Sequence, residues 1–212
     1  MSKREILIVG RLFFGLLTLV AIIAQFAIHL QHGFDVGNFF GYFTNLSNIF
    51  ASVVFIIGAV YLMQNREPTV NEDLVRGASV VAMAIVGIVF SVLLRDTDLG
   101  TLAPWVNTVV HFVMPIAVVA DWLYQPPKAK LTMRQALYWL IYPLLYLVYT
   151  LVRGAITGFY PYPFLNPNTI PGHATAGSFG AVLLYCVAIF VAFLVVGAIL
   201  VWLGNRLKRS AV

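Results

Sequence analysis

Long apolar runs separated by short polar connections dominate the chain. Six runs reach the length of about 20 residues that an α-helix needs to cross a bilayer. They cover approximately residues 6–30, 37–63, 77–94, 103–124, 135–157 and 177–203. No run alternates apolar and polar residues in the way that a transmembrane β-strand does. The pattern therefore predicts an all-α integral membrane bundle of six transmembrane helices, forming a single domain over residues 1–212.

The few charged residues lie mainly in the short connections. Only 10% of the residues are charged and 61% are hydrophobic, whereas about a quarter of a soluble domain is charged. Of the thirteen Lys and Arg residues, only Arg95 and Arg153 fall on the side opposite the termini. The other eleven fall on the side that holds both termini: Lys3, Arg4, Arg11, Arg66, Arg76, Lys128, Lys130, Arg134, Arg206, Lys208 and Arg209. The positive-inside rule thus predicts cytoplasmic termini, and the scatter of basic residues predicts no nucleic-acid partner.

The second predicted helix carries a dense group of polar residues at membrane depth. Thr44, Ser47 and Asn48 are spaced i, i+3 and i+4 and share one face, with Asn45 beside them. A lone Ser or Thr in such a helix usually joins it to a neighbouring helix. Four polar residues within residues 44–48 exceed what that role requires, so both a packing role and a functional role remain open.

The fourth predicted helix carries a histidine next to a proline. Asn107 and His111 are four residues apart and lie on one face, and Asp121 continues this stripe toward the cytoplasmic side. Pro115 has no N–H to donate to the carbonyl of His111, so we expect a kink close to the imidazole. Packing is the alternative role for a single histidine on an apolar helix.

The fifth predicted helix carries a tyrosine stripe that includes Tyr146 and ends at Arg153. Such a stripe is more often helix packing than a ligand groove, but Arg153 is a candidate to bind a carboxylate. The loop that follows is rich in proline and aromatic residues and leads to His173.

A threonine nucleophile activated by a histidine base is the simplest chemistry for these residues. A hydroxyl attacks well only when a base removes its proton, and neutral imidazole suits that role. Thr44 and His111 are the predicted pair, with Asn45, Asn48 or a tyrosine as oxyanion donors. Asn107, a tyrosine or a backbone carbonyl is the candidate group to orient His111. His29 and His32 would need His111 or His173 to hold zinc, and no suitably placed carboxylate or cysteine completes the set. We therefore predict no metal and no cofactor.

A protein without catalytic activity is the alternative. The polar stripe would then line a small transporter, or a lipid- or sterol-binding site. A transporter predicts discontinuous helices and a water-accessible path to the cytoplasmic side through Asp121.

Three short motifs resemble those of a known family. They are Tyr42-Phe43-Thr44, then Asn107-x-x-x-His111-x-x-x-Pro115, and then Val152-Arg153-Gly154 leading to Tyr160-Pro161-Tyr162-Pro163-Phe164-Leu165. In order and spacing, over residues 40–170 or so, they resemble the androgen-induced-gene-one family of six-span membrane proteins and its bacterial relatives.

The resemblance implies an intramembrane threonine hydrolase that cleaves fatty acid esters of hydroxy fatty acids. It implies Thr44 as nucleophile, His111 as general base, and a lipid substrate that enters from the bilayer. It also implies a location in the inner (plasma) membrane of a bacterium, among membrane lipids. Asn45 after the threonine departs from the animal members. The substrate-binding or oxyanion candidates are Asn45, Asn48, Asn107, Tyr146, Arg153 and His173.

Overall fold

The computed structural model describes residues 1–168 and 176–209, and these are all helix and loop. The helices are α1 (Lys3–Gln31), α2 (Val36–Phe40), α3 (Phe43–Met63), α4 (Val70–Leu94), α5 (Pro104–Tyr124), α6 (Met133–Thr157) and α7 (Phe179–Arg209), with a 3₁₀ turn at Pro163–Leu165. All but α2 are long and apolar enough to cross a membrane. The prediction of an all-helical chain with six such helices is therefore confirmed.

The segment predicted as one helix over residues 37–63 is in fact two helices. Tyr42 has an extended backbone (φ −81°, ψ 124°), so α2 ends at Phe40 and α3 begins at Phe43. The Tyr146 hydroxyl donates to the Gly41 carbonyl (2.9 Å) and accepts from the Phe43 N–H (3.2 Å). A single side chain from α6 thus satisfies two backbone groups that the break leaves without helical partners. The break makes Thr44 part of a helix N-terminus.

Helix α4 corresponds to the third predicted segment, residues 77–94. It begins at Val70, seven residues before the predicted start. Hydropathy misses these first seven residues because most of them are polar, but a capping box marks the start of the helix. The Thr69 side chain accepts from the Glu72 N–H (3.3 Å), and the Glu72 carboxylate accepts from the Thr69 N–H (2.8 Å). The helix then runs through the middle of the bundle and packs against α3, α5 and α7.

Both termini lie at the same end of the bundle. Arg4 donates to the Leu62 carbonyl (2.8 Å), and Lys208 donates to the Lys128 carbonyl. All four residues line one shallow pocket, which places the start of α1 and the end of α7 at the same end of the bundle. We call this the terminal end. The opposite end, formed by residues 32–42, 95–103 and 158–168, is the distal end.

A buried ion pair joins helices near the terminal end. Arg11 of α1 donates twice to the carboxylate of Asp121 on α5 (2.7 and 2.9 Å), and its guanidinium also reaches the side chain of Gln125 (2.6 Å). Arg76 of α4 lies 3.6 Å from Asp121 and 3.6 Å from Asp73. Asp121, predicted to continue a polar stripe, is thus engaged by two arginines.

Candidate active site

A chamber of about 570 Å³ opens at the distal end of the bundle. Its walls come from α1 to α5 and from the loop after α6, and the exposed Asp98 lies at its rim. Thr44, Asn45 and His111, three of the predicted site residues, all line it, together with Tyr162. The fold therefore brings the predicted nucleophile and the predicted base, which come from two different helices, to a common cavity.

Thr44 is the second residue of α3 and is 8% exposed. Its N–H donates to the hydroxyl of Tyr162 (3.1 Å), and its own hydroxyl lies 3.2 Å from the same oxygen. Tyr162 comes from the loop after α6, outside the spanning helices. Burial raises the pKa of the Tyr162 phenol to about 12, so the phenol keeps its proton at neutral pH.

His111 lies in a π-helical turn, Val109–Val113, directly before Pro115. The sequence predicted an irregularity here because of the proline. The structure shows it as a π-helical turn, in which the Met114 N–H donates to the Val109 carbonyl five residues earlier. The imidazole stacks on Phe90 at a centroid distance of 3.8 Å and an interplanar angle of 13°. Phe90 begins the π-helical turn Phe90–Leu94 of α4, so the two irregular turns meet at the histidine.

Asn107 fixes the protonation of the imidazole. Its Oδ1 lies 2.6 Å from His111 Nδ1. An amide oxygen only accepts hydrogen bonds, so Nδ1 carries the proton and Nε2 keeps its lone pair. The sequence analysis placed Asn107 both among the substrate-binding or oxyanion candidates and among the groups that could orient His111. The structure shows it as the group that orients His111, in the tautomer that a general base requires.

Thr44 and His111 share the chamber, but no hydrogen bond joins them within the described residues. Asn48 links the two helices instead. Its amide group donates to the Thr44 carbonyl (2.9 Å) and to the Val110 carbonyl (3.1 Å). Both amide protons are used, so Asn48 holds the first turn of α3 against the π-helical turn of α5 rather than serving as an oxyanion donor.

Asn45 retains free donors in the chamber. One proton of its side-chain amide goes to the Phe39 carbonyl (2.8 Å). The backbone N–H of Asn45, in the first turn of α3, has no acceptor within the described parts of the chain. A helix N-terminus carries partial positive charge, and this N–H belongs to the residue that follows Thr44, as oxyanion donors do in α/β-hydrolases.

Tyr146 and Arg153, two further predicted site residues, do not line the chamber. Tyr146 bridges Gly41 and Phe43, so its hydroxyl proton is already engaged. Arg153 donates to the Asn38 side chain (2.8 Å) and lies 3.5 Å from the Asp35 carboxylate, beside the chamber rather than in it. His173 lies outside the described residues.

A second, apolar cavity meets the chamber at Thr44. It is a narrow cleft of about 100 Å³ between α4, α6 and α7. The residues that line both cavities are Thr44, Phe90, Leu94 and Tyr162. The predicted nucleophile therefore lies at the boundary between a polar chamber and an apolar cleft.

Tyr162 is the residue that the sequence analysis missed. The prolines on either side of it restrict the loop, and its ring stacks on Phe164 at 5.2 Å with an interplanar angle of 2°. The preceding Tyr160 packs on Gly154, where a Cβ atom would lie 2.2 Å from a Tyr160 ring carbon. This contact explains why the Arg153-Gly154 and Tyr160–Leu165 motifs belong together, and that pairing was the signal available in the sequence.

No group of three or more His, Cys, Asp or Glu side chains that could hold a metal ion occurs among the residues that the structure describes. The chamber lining does not include Asp121, which pairs with Arg11 near the other end of the bundle. No protein-family model, curated protein or solved structure matches this chain.

Proposed function

We propose that this protein is an intramembrane lipid ester hydrolase with Thr44 as nucleophile and His111 as general base. The observation that carries the proposal is the shared chamber, in which a threonine at a helix N-terminus and a histidine in its Nδ1–H tautomer come together. The proposed substrates are fatty acid esters of hydroxy fatty acids. The resemblance to the androgen-induced-gene-one family supports that class, and so does the apolar cleft beside the nucleophile.

In the first half-reaction, Thr44 attacks the ester carbonyl carbon through Oγ1. His111 Nε2 takes the hydroxyl proton as the new C–O bond forms. The Tyr162 hydroxyl lies 3.2 Å from Thr44 Oγ1, and when the phenol donates to that oxygen, the Thr44 hydroxyl proton is left free to pass to His111. The imidazolium then returns its proton to the leaving alkoxide. The products are an acyl-threonine and a free hydroxy acid.

The tetrahedral intermediate carries its charge on the former carbonyl oxygen. The Asn45 N–H and the second proton of the Asn45 amide are the free donors next to Thr44. A preorganised donor of this kind contributes about 3–4 kcal/mol to transition-state stabilisation. In the second half-reaction, His111 removes a proton from water as the water oxygen attacks the acyl-threonine carbonyl. The bond to Thr44 Oγ1 then breaks, the imidazolium returns its proton to Oγ1, and the fatty acid is released.

The absence of a direct Thr44–His111 hydrogen bond is compatible with this mechanism. Catalytic hydrogen bonds are often long without substrate and tighten when it binds. Asn48 limits how far the two groups can separate, because it is bonded to the carbonyls of Thr44 and Val110.

We also propose a location in the plasma membrane of a bacterium, with both termini cytoplasmic and the chamber opening on the outer side. The distribution of Lys and Arg supports this orientation, because only Arg95 and Arg153 belong to the distal side. The lipid substrate would enter from the bilayer.

A transporter has less support. It would need a polar path that continues from the chamber toward the terminal end. Asp121, the acidic residue on that route, is 9% exposed and bound on both carboxylate oxygens by Arg11.

The test is hydrolysis of a fatty acid ester of a hydroxy fatty acid by the purified full chain in vesicles. We expect Thr44→Ala to lower kcat/KM by about 10³-fold or more, since a nucleophile is essential to both half-reactions. Thr150→Ala is the matched control, because Thr150 is a buried threonine of a spanning helix that lines neither cavity. A fluorophosphonate should label wild type and not Thr44→Ala. Folded Thr44→Ala protein with wild-type rates would refute the proposal.

A further inference from the structure

The apolar cleft is open to the lipid side of the bundle. Leu144 of α6 and Phe190 of α7 line it and are 45% and 38% exposed. The two helices contact each other through the first part of α6, Met133–Leu140, whereas Ile141–Thr157 makes few contacts with α7. They therefore separate toward the distal end, and the cleft lies in the gap between them, closed at the back by α4.

The lining of the cleft excludes polar and bulky ligands. Apart from Thr44 and two tyrosines, its lining is apolar and includes Leu144, Leu147, Cys186 and Phe190. Such a surface holds hydrocarbon without loss of hydrogen bonds. At about 100 Å³ the cleft has room for only a short stretch of one alkyl chain, so a longer chain extends from it into the lipid, and a fused ring system does not fit.

The chamber is larger than the cleft and has a more polar lining. At about 570 Å³ it is lined by hydrogen-bonding side chains as well as aromatic ones. The polar members are Gln25, His29, Asn38, Thr44, Asn45, Thr97, Asp98, Thr101 and His111. It can accommodate a group that carries a carboxylate or hydroxyl in contact with water at the distal end.

We propose that the cleft binds the acyl chain whose carbonyl Thr44 attacks, and that the hydroxy-acid half of the ester occupies the chamber. This assignment rests on the proposed function. The acyl chain enters sideways from the lipid between α6 and α7, and its carbonyl stops at Thr44, where the two cavities meet. The hydroxy acid leaves through the chamber after the first half-reaction, while the acyl group stays in the cleft on Thr44.

Two adjacent residues of α7 provide a matched test. Cys186 lines the cleft, whereas the neighbouring Val187 is 52% exposed and lines neither cavity. Cys186→Phe should narrow the cleft, and Val187→Phe adds a similar bulk to the lipid-facing surface. The substrates are the palmitate and acetate esters of the same hydroxystearic acid, so only the acyl half differs between them.

We expect Cys186→Phe to lower kcat/KM for the palmitate ester at least about tenfold, which is the scale at which a pocket discriminates by volume. The effect on the acetate ester should be much smaller, so that the ratio of kcat/KM for palmitate to that for acetate falls about tenfold, whereas Val187→Phe should leave this ratio unchanged. Leu147→Phe, which narrows the same cleft from α6, gives a second test if Cys186→Phe does not fold.

Other outcomes separate the two proposals. If kcat/KM falls equally for both esters in both folded cleft variants, or if kcat/KM for the palmitate ester is unchanged, the cleft does not hold the acyl chain. If wild type hydrolyses neither ester in a Thr44-dependent way, the proposed function itself is wrong.

Discussion

The Tyr162 hydroxyl offers the sharpest test of how the site is built. Tyr162→Phe removes one oxygen atom and keeps the ring, whose stacking on Phe164 at 5.2 Å holds the loop in place. That oxygen accepts from the Thr44 N–H (3.1 Å) and contacts the Thr44 hydroxyl (3.2 Å). The substitution therefore acts on the proposed nucleophile through two hydrogen bonds and through no lost packing.

The expected losses of stability and of catalytic rate both follow from these contacts. Without the phenol oxygen, the N–H of the buried Thr44 has no acceptor, which costs about 1–3 kcal/mol of stability. Loss of the hydrogen bond that orients the Thr44 hydroxyl should lower kcat by about 10²-fold, the effect that misplacing a reacting group can have. KM should change little, because the phenol contacts the nucleophile rather than the substrate.

Tyr160→Phe is the matched control for this prediction. Tyr160 lies two residues earlier in the same loop, and its hydroxyl has no hydrogen-bond partner in the part of the chain that the structure describes. The measurements are ester hydrolysis in vesicles and thermal unfolding of each purified variant. Equal activity of the two folded variants would refute the role of Tyr162 in catalysis. A less stable Tyr162→Phe variant with unchanged kcat would reduce that role to support of α3.

Two further predictions concern the base and the loop. Asn107→Leu removes the acceptor that holds His111 Nδ1–H (2.6 Å) and should lower kcat by about 10²-fold, the effect that misplacing a catalytic group can have. Gly154→Ala places a Cβ atom 2.2 Å from the ring of Tyr160 and should destabilise the fold by about 1–3 kcal/mol. Gly10→Ala meets nothing within 4 Å and should be neutral or stabilising.

Each of these predictions has a clear contrary result. For the base, Thr108→Ala is the control, because the exposed Thr108 lies on the same turn and bonds only to the Pro104 carbonyl (3.0 Å). Wild-type kcat in folded Asn107→Leu protein would show that the imidazole does not need its amide partner. For the loop, equal unfolding temperatures for Gly154→Ala and Gly10→Ala would mean that Tyr160 moves aside at no cost.

The six helices and the main polar residues were predictable because a bilayer imposes a simple rule. With no water to bond to, each crossing segment must satisfy its own backbone, so length and hydropathy reveal it. The same rule makes Thr44 and His111 conspicuous, since hydroxyl and imidazole groups are costly at that depth. The segment before Thr44 was predicted less well, because hydropathy does not register the extended backbone of Tyr42.

The partners of these polar groups came only from the tertiary structure. Tyr162 is 118 residues from Thr44, and Val110 is 62 residues from Asn48. Helical periodicity gives the face on which a residue lies, but it does not give the neighbouring helix or the height at which two faces meet. Asn107 and His111 were identified as sharing a face because four residues on one helix fix their separation.

The sequence by itself determined the number of helices, the helices on which the polar groups lie and the candidate pair of nucleophile and base. The tertiary structure decided which donor meets which acceptor, placed Arg153 beside Asp35 and Asn38, and opened an apolar cleft at Thr44. The reason is that hydropathy is a property of each segment alone. A hydrogen bond or a cavity instead depends on how several segments pack to within a few ångströms of one another.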